Sequence, residues 1–179
     1  LSLISSLTGI SNRPVNLPAF SMFRTDLYVK NESTYKLTDG VLNIFNAAKQ
    51  NSVKKVVFAS SSSVYGDNPA LPKVEENIGR PLSPYAVTKQ TNELYAQALS
   101  KVYDFHYIGL RYFNVFGPNQ SPDGPYAAVI PLFIMNAIID KPSVINGEGH
   151  QSRDFTYVTN VVDANISSIF SDQKQAWNN

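Results

Sequence analysis

Tyr85 and Lys89 form a Tyr-x-x-x-Lys pair, and a run of four serines, Ser60 to Ser63, precedes it in the chain. Residues four apart on a helix share a face, so the positive charge of the lysine can lower the pKa of the tyrosine. Free tyrosine titrates at about 10, roughly three units too high for a base at neutral pH. A tyrosine beside a lysine and opposite a serine hydroxyl can take a proton from an alcohol. Such chemistry accompanies hydride transfer from a carbinol to a nicotinamide.

The surrounding patterns predict alternating helices and strands that position these residues. Pro84, in a first turn that opens at Ser83, predicts a helix through about Lys101 that carries both Tyr85 and Lys89. The other segments predicted from periodicity and composition are, in chain order, a helix from Thr38 onward with a stripe over 41–48, a valine-rich strand over 54–60, a loop over 66–81, a strand over 106–112, a loop over 116–125, a helix over 127–140, a short strand at 144–145 and a helix over 158–171.

This order of elements predicts an α/β fold with a mostly parallel sheet. In such sheets ligands bind at the carboxyl ends of the strands. Ser60 to Ser63 follow one predicted strand and Asn114 follows the next, so both are expected on the ligand side.

Composition excludes several classes of site. The chain has 179 residues, of which 43% are hydrophobic and 16% charged, enough for a sizeable core. Its net charge is +1, without a basic patch that predicts nucleic-acid binding. It has no cysteine, and its two histidines lack metal-type spacing. No apolar stretch approaches ~18–20 residues, so no membrane span is predicted.

Three blocks resemble a known family. Residues 58–96 (FASSSSVYG through SPYAVTKQTNELYA), 108–133 (IGLRYFNVFGPNQSPDGPYAAVIPLF) and 145–158 (INGEGHQSRDFTYV) are similar to the extended short-chain dehydrogenase/reductase superfamily, within it the NAD-dependent epimerase/dehydratase family. The detail resembles sugar-nucleotide 4-epimerases that act on UDP-N-acetylglucosamine and related sugars. The resemblance implies a Rossmann-like, doubly wound parallel sheet, with NAD as cofactor and a UDP-sugar as substrate.

The resemblance also implies roles for individual residues. Tyr85 would be the general base at the 4-hydroxyl, Lys89 would lower its pKa and hold the nicotinamide ribose, and Ser61 would relay the proton. Tyr112 would lie near the nicotinamide. The remaining substrate-binding positions would be Ser62 and Ser63 for the N-acetyl sugar, Asn114 and Arg153 for the phosphates, and Ala128 and Val129 for the uridine. Arg153 beside Asp154 could instead be a surface ion pair, and Asn114 could merely cap a turn.

The chain departs from the family at both ends. It lacks the G-x-x-G-x-x-G turn that would hold the pyrophosphate, and Leu37 stands where the family usually carries asparagine. We therefore expect a partial domain: residues 1–36 match poorly, 37–125 form a Rossmann-like core, and 126–179 form part of the substrate-binding region. Further strands and a C-terminal lobe are expected outside the chain, which predicts that it is inactive alone.

Alternative functions remain open. A UDP-glucose or UDP-glucuronate 4-epimerase shares the serine run or the tyrosine-lysine pair, whereas a 4,6-dehydratase would need Asp-Glu in place of Ser62-Ser63. A truncated remnant that at most binds UDP-sugar is a candidate from another class. The family further implies a cytoplasmic protein of polysaccharide biosynthesis and a homodimer in the complete enzyme, with the helices near Thr38 and Ser83 as the candidate interface.

Overall fold

The computed structural model describes residues 34–103, 105–123, 128–172 and 175–178. Its elements are, in chain order, α1 (Thr34–Gln50), β1 (Lys55–Ser61), a 3-10 turn (Ser62–Tyr65), α2 (Pro84–Val102), β2 (His106–Tyr112), β3 (Asn114–Phe116), α3 (Val129–Ile138), β4 (Phe155–Tyr157), α4 (Val158–Phe170) and β5 (Gln175–Asn178). Most of the predicted unit 1–36, together with residue 127 of the predicted third helix, lies outside the described residues, as does the side chain of Leu37.

The main sheet is parallel and has the strand order β1-β2-β5. The register pairs Val56 with Tyr107 and Ser60 with Arg111. Side chains alternate between the faces of a strand. Phe58 contacts α1 on one face, while Lys55 donates a hydrogen bond to the carbonyl of Ser168 in α4 at 3.4 Å on the other. Helices therefore cover both faces of β1, and the predicted α/β fold with a parallel sheet is confirmed.

The core on the α1/α2 face is built around aromatic rings. Phe45 is 2% exposed. Its ring packs edge to face (T-shaped) against the rings of Phe58 and Phe105, at centroid distances of 5.5 and 5.6 Å. Ala96 of α2 and Tyr107 of β2 complete this buried cluster. The small side chain of Ala96 lets α2 lie close to α1, and so fixes the helix that carries Tyr85 and Lys89.

Replacing Phe45 by alanine should lower the free energy of unfolding by about 3–5 kcal/mol, because it removes a buried ring and leaves a cavity. Urea unfolding followed by circular dichroism measures the change. The neighbouring Asn46→Ala, on the exposed face of α1, should stay within about 0.5 kcal/mol of the parent. Equal effects of the two substitutions would contradict this account of the core.

The short strands of the structure differ from the one that was predicted. Val144 and Ile145 were expected in a strand but lie in irregular chain, 75% and 63% exposed. That prediction is wrong because two β-branched residues without a partner strand have nothing to pair with. The parallel pair β3-β4 and the last strand, β5, were not predicted; the next strand had been expected only beyond the end of the chain.

Candidate active site

The carboxyl end of β1 turns directly into the 3-10 turn. Ser61 caps this turn in an extended conformation, and its hydroxyl oxygen accepts a hydrogen bond from the backbone N–H of Ser63 at 3.2 Å. Because this bond uses only a lone pair, the hydroxyl proton of Ser61 is left to donate elsewhere. Val64 and Tyr65 are buried and hold the turn against the body of the protein.

The start of α2 brings the tyrosine-lysine pair to the same edge of the sheet. Ser83 caps the helix, its hydroxyl accepting from the N–H of Ala86 at 3.1 Å, and Pro84 occupies the first turn as predicted. Tyr85 therefore lies in the first turn and Lys89 one turn later. The helix packs against both β1 and the 3-10 turn.

Lys89 is the most firmly held member of the pair. Its side chain is buried, with the residue 4% exposed, and its Nζ donates a hydrogen bond to the carbonyl of Ala59 in β1 at 3.0 Å. The same Nζ lies 5.6 Å from the centre of the Tyr85 ring. The structure thus brings Tyr85 and Lys89 together, and Lys89 contacts β1 at Ala59, two residues before Ser61 in the chain.

Gly66 ends the 3-10 turn with a positive φ of 54°. A Cβ at this position would lie 2.0 Å from the carbonyl oxygen of Arg80, so a side chain cannot be accommodated without moving backbone. Glycine here lets the chain after the serine run pass directly beneath residues 79–80. The conformation of the turn, and with it the position of Ser61, depends on that close approach.

We expect Gly66→Ala to lower the free energy of unfolding by about 1–3 kcal/mol, and the melting temperature with it, because alanine here combines backbone strain with a steric conflict. Gly40→Ala in α1 is the matched control. Nothing lies within 4 Å of a Cβ there, and alanine should add about 0.5–1 kcal/mol through helix propensity. Differential scanning calorimetry reads both; a shift of the same sign for the two variants would contradict the assignment.

A buried ion pair lies directly behind the site. Arg111 of β2 donates Nε to Glu93 Oε1 at 3.0 Å and Nη2 to Oε2 at 2.8 Å, with side-chain exposures of 2% and 5%. Ser60 also donates its hydroxyl to Glu93 Oε1. Burial alone would lower the pKa of Arg111, but hydrogen bonds to Glu93 and Tyr65 and the charge of Glu93 raise it above its ordinary value.

Arg111 reaches two further groups. Its Nη1 donates to the backbone carbonyl of Glu75 at 2.8 Å, which ties the loop after the serine run to β2. Its guanidinium carbon lies 4.8 Å from the centre of the Tyr65 ring. Sequence reasoning missed this group, although an arginine inside an otherwise apolar strand signals a buried partner.

Tyr112, predicted to lie near the nicotinamide, is partly buried at the end of β2. Its hydroxyl donates to Asn165 Oδ1 of α4 at 2.9 Å, and Asn165 Nδ2 lies 2.6 Å from the same oxygen. Burial raises the pKa of Tyr112, and the hydrogen bond with Asn165 offsets part of that rise. Asn165 is a second residue near the site that the sequence did not indicate.

The predicted phosphate-binding residues lie beside the small β3-β4 sheet. Asn114 donates both its backbone N–H, at 3.2 Å, and its side-chain Nδ2, at 2.9 Å, to the carbonyl of Asp154. Arg153, the residue before Asp154, is exposed, and its side chain donates a hydrogen bond to the carbonyl of Ser152 at 2.8 Å. Asn114 and Arg153 thus lie near each other. Their proposed contact with a diphosphate stays a prediction.

The predicted uridine-binding residues open α3. Ala128 is the residue before the helix and Val129 is its first residue. The carbonyl of Ala128 accepts from the N–H of Leu132 at 3.3 Å. Their contact with a nucleotide also stays a prediction.

The residues at the β1 edge fit one end of a dinucleotide. The Lys89 ammonium is a donor suited to a ribose, and Ser63 Oγ is buried with no hydrogen-bond partner among the described residues, so a bound molecule could satisfy it. The chain offers no glycine-rich turn for a pyrophosphate. The part of the chain that the structure describes holds no cluster of His, Asp or Glu that could bind a metal, and none of its helices is both long and apolar enough to cross a bilayer.

A parallel sheet covered by helices on both faces, with a Tyr-x-x-x-Lys pair at the carboxyl end of a strand, defines a Rossmann-like protein of the short-chain dehydrogenase/reductase type. The chain belongs to the NAD dependent epimerase/dehydratase family, whose model matches residues 23–178. The resemblance seen in the sequence is thereby confirmed, and NAD is the cofactor that the family description names.

Individual relatives are nucleotide-sugar enzymes. The solved UDP-N-acetylglucosamine 4-epimerase of Methanobrevibacter ruminantium, in complex with UDP-N-acetylmuramic acid, is 49% identical with a TM-score of 0.74, over 76% of this chain and 44% of that one. UDP-glucose 4-epimerase of Thermotoga maritima with UDP-glucose is 31% identical with a TM-score of 0.75, over 82% and 49%. A putative UDP-glucose 4-epimerase of Methanocaldococcus jannaschii is 39% identical over 73% of this chain and 43% of its own length. The chain therefore spans less than half of each relative.

Proposed function

We propose that the chain carries the catalytic helix and part of the substrate pocket of a UDP-N-acetylhexosamine 4-epimerase, which interconverts sugars of the UDP-GlcNAc and UDP-GalNAc type. The observation that supports this most directly is the buried Lys89 ammonium, held on the Ala59 carbonyl and 5.6 Å from the Tyr85 ring. Tyr85, beside this ammonium at the first turn of α2, is the residue that we assign as the base.

Three side chains divide the proton chemistry. Tyr85, as phenolate, accepts the proton of the sugar 4-hydroxyl, and Lys89 stabilises the negative charge of that phenolate. Ser61 donates a hydrogen bond to the sugar O4 and relays the 4-hydroxyl proton toward Tyr85, since its oxygen already accepts from the N–H of Ser63 and its own O–H is left to donate. Bound NAD supplies the hydride acceptor and donor for C4. With NAD bound, the net result of this chemistry would be inversion at C4 by way of a 4-keto sugar.

The remaining predicted residues hold the substrate in this proposal. Ser62 and Ser63 border the sugar, and their small side chains leave space for an N-acetyl group. Asn114 and Arg153 bind the diphosphate, for which a guanidinium fork is suited. Ala128 and Val129 contact the uridine through their backbone, and Tyr112 borders the nicotinamide. These substrates and NAD imply a cytoplasmic protein, with nucleotide sugars for polysaccharide synthesis as its products.

The test is an epimerase assay on the protein expressed from the complete reading frame in which these residues lie. With NAD present, UDP-N-acetylglucosamine should yield UDP-N-acetylgalactosamine, resolved by ion-pair chromatography. The ratio kcat/KM should exceed that for UDP-glucose and UDP-glucuronate by about tenfold, within the range that one group in a pocket contributes. A preference for either competitor would replace the substrate but keep the reaction, while binding of all three without turnover would support a non-catalytic remnant.

The 179-residue chain alone should show no detectable turnover. Charge-assisted hydrogen bonds contribute roughly 1.5–3 kcal/mol each, and the chain has no glycine-rich turn to make them with a pyrophosphate. The same assay on the purified chain, with NAD at millimolar concentration, checks this expectation. Measurable turnover by the 179 residues would contradict this expectation and show that they suffice to bind NAD.

A further inference from the structure

Behind the proposed catalytic pair, α2 and the two neighbouring strands share a buried polar group. We propose that Ser60, Glu93 and Arg111, here called the clamp, are positioning residues that set Tyr85 and Lys89 at the right place relative to Ser61. This inference rests on the proposed function for its kinetic part only, because the geometry of the pair can be measured without turnover.

The clamp connects three elements of the fold through one side chain. Glu93 lies one helical turn after Lys89 on the same face of α2, and Ser60 directly precedes Ser61 in β1. One oxygen, Glu93 Oε1, accepts from both the Ser60 hydroxyl and Arg111 Nε. A single carboxylate therefore joins the helix of the base, the strand of the proton-relay serine and the next strand of the sheet.

The clamp also restrains the position and orientation of the Glu93 carboxylate. The guanidinium of Arg111 holds Glu93 by two parallel bonds, 3.0 and 2.8 Å long, which fix both distance and orientation. A third bond, from Nη1 to the carbonyl of Glu75 at 2.8 Å, adds the loop beside the site. The clamp thus joins four segments: α2, which carries Tyr85, β1, which ends at Ser61, β2, and the loop at Glu75.

The free energy of folding does not by itself explain a buried ion pair. Buried ion pairs are weak evidence for stability, since desolvation offsets much of their attraction, and apolar replacements of both partners are often tolerated. An ion pair with side-chain exposures of 2% and 5% therefore calls for another reason, and conformational specificity is one. Catalytic geometry needs it, because an error of about 1 Å can reduce a rate roughly 10²-fold.

The decisive variant replaces the whole clamp by apolar residues, Ser60→Ala, Glu93→Leu and Arg111→Met together. No side chain of the clamp is then left with an unpaired charge or hydroxyl. In the protein from the complete reading frame we expect a melting temperature close to that of the parent, a KM for UDP-N-acetylglucosamine within about threefold, and kcat reduced about 30-fold or more. Loss of stability alone would not produce that split.

A second measurement tests the geometry of the Tyr85–Lys89 pair and requires no turnover. In the parent, selectively labelled lysine and tyrosine should give a nuclear Overhauser contact between the Lys89 side chain and the Tyr85 ring, since Nζ lies 5.6 Å from the ring centre. The contact should be lost in the triple variant. A parent without epimerase activity would sink the proposed function, whereas the contact would still decide the role of the clamp.

Ser60→Ala keeps the test conclusive should the triple variant not fold. It removes one hydrogen bond and keeps the Arg111–Glu93 pair, so the fold should persist while kcat falls several-fold and the Lys89–Tyr85 contact weakens. Thr91→Ala, which removes a hydroxyl from the same helix away from the clamp, should change neither. Parental kcat and an unchanged contact in the triple variant, or in Ser60→Ala if that alone folds, would overturn the proposal.

Discussion

Replacing Tyr85 by phenylalanine is expected to lower kcat about 10³-fold and to leave UDP-sugar affinity within a few-fold of the parent. The substitution removes one oxygen atom and keeps the ring, so the packing of the first turn of α2 persists. General acid–base catalysis by a positioned side chain contributes about 10²- to 10⁴-fold, and the loss should fall in that range. Steady-state kinetics on the protein from the complete reading frame, with substrate binding by calorimetry, measures both quantities.

Tyr95→Phe is the matched control for this experiment. Tyr95 lies on the same helix but is 41% exposed, and it should keep the parental kcat. If Tyr85→Phe also kept it, Tyr85 would not be the base and the proposed mechanism would fail. If the parent bound UDP-sugar but did not turn it over, and Tyr85→Phe bound it equally, the remnant hypothesis would be favoured.

The elements around the site could be predicted because their signals are local. A valine-rich run ended by serines predicted β1 to within a residue at each end, and Ser83-Pro84 predicted the start of α2 through its capping oxygen and fixed φ. This was enough to predict that the helix of Tyr85 and Lys89 begins beside the end of β1, where Lys89 contacts Ala59.

What the sequence did not predict depends on distant partners. The strands β3 and β4 have three residues each and exist because Asn114 pairs with Phe155 across a long stretch of chain. Val144 and Ile145 are equally favourable residues for a strand, but they have no such partner strand. Glu93 looked like one more charge on a helix, and only the fold shows that it meets Arg111.

A large effect on stability is also expected at Arg111. In Arg111→Met, the carboxylate of Glu93 keeps its burial and loses both bonds of the fork, so the free energy of unfolding should fall by about 3–5 kcal/mol. Urea unfolding of the protein from the complete reading frame measures this change. Adding Ser60→Ala and Glu93→Leu removes the stranded carboxylate and should restore most of the loss, even though two more native side chains have gone.

That reversal distinguishes a positioning device from a stabilising one. A pair that mainly stabilised the fold would leave the triple variant at least as unstable as Arg111→Met, and the clamp would then be explained by stability alone. Recovery of stability without recovery of kcat would place the value of Arg111 and Glu93 in the geometry of the site. A buried charge pair that contributes little net stability is retained, on this argument, because it allows α2 only one position against β1.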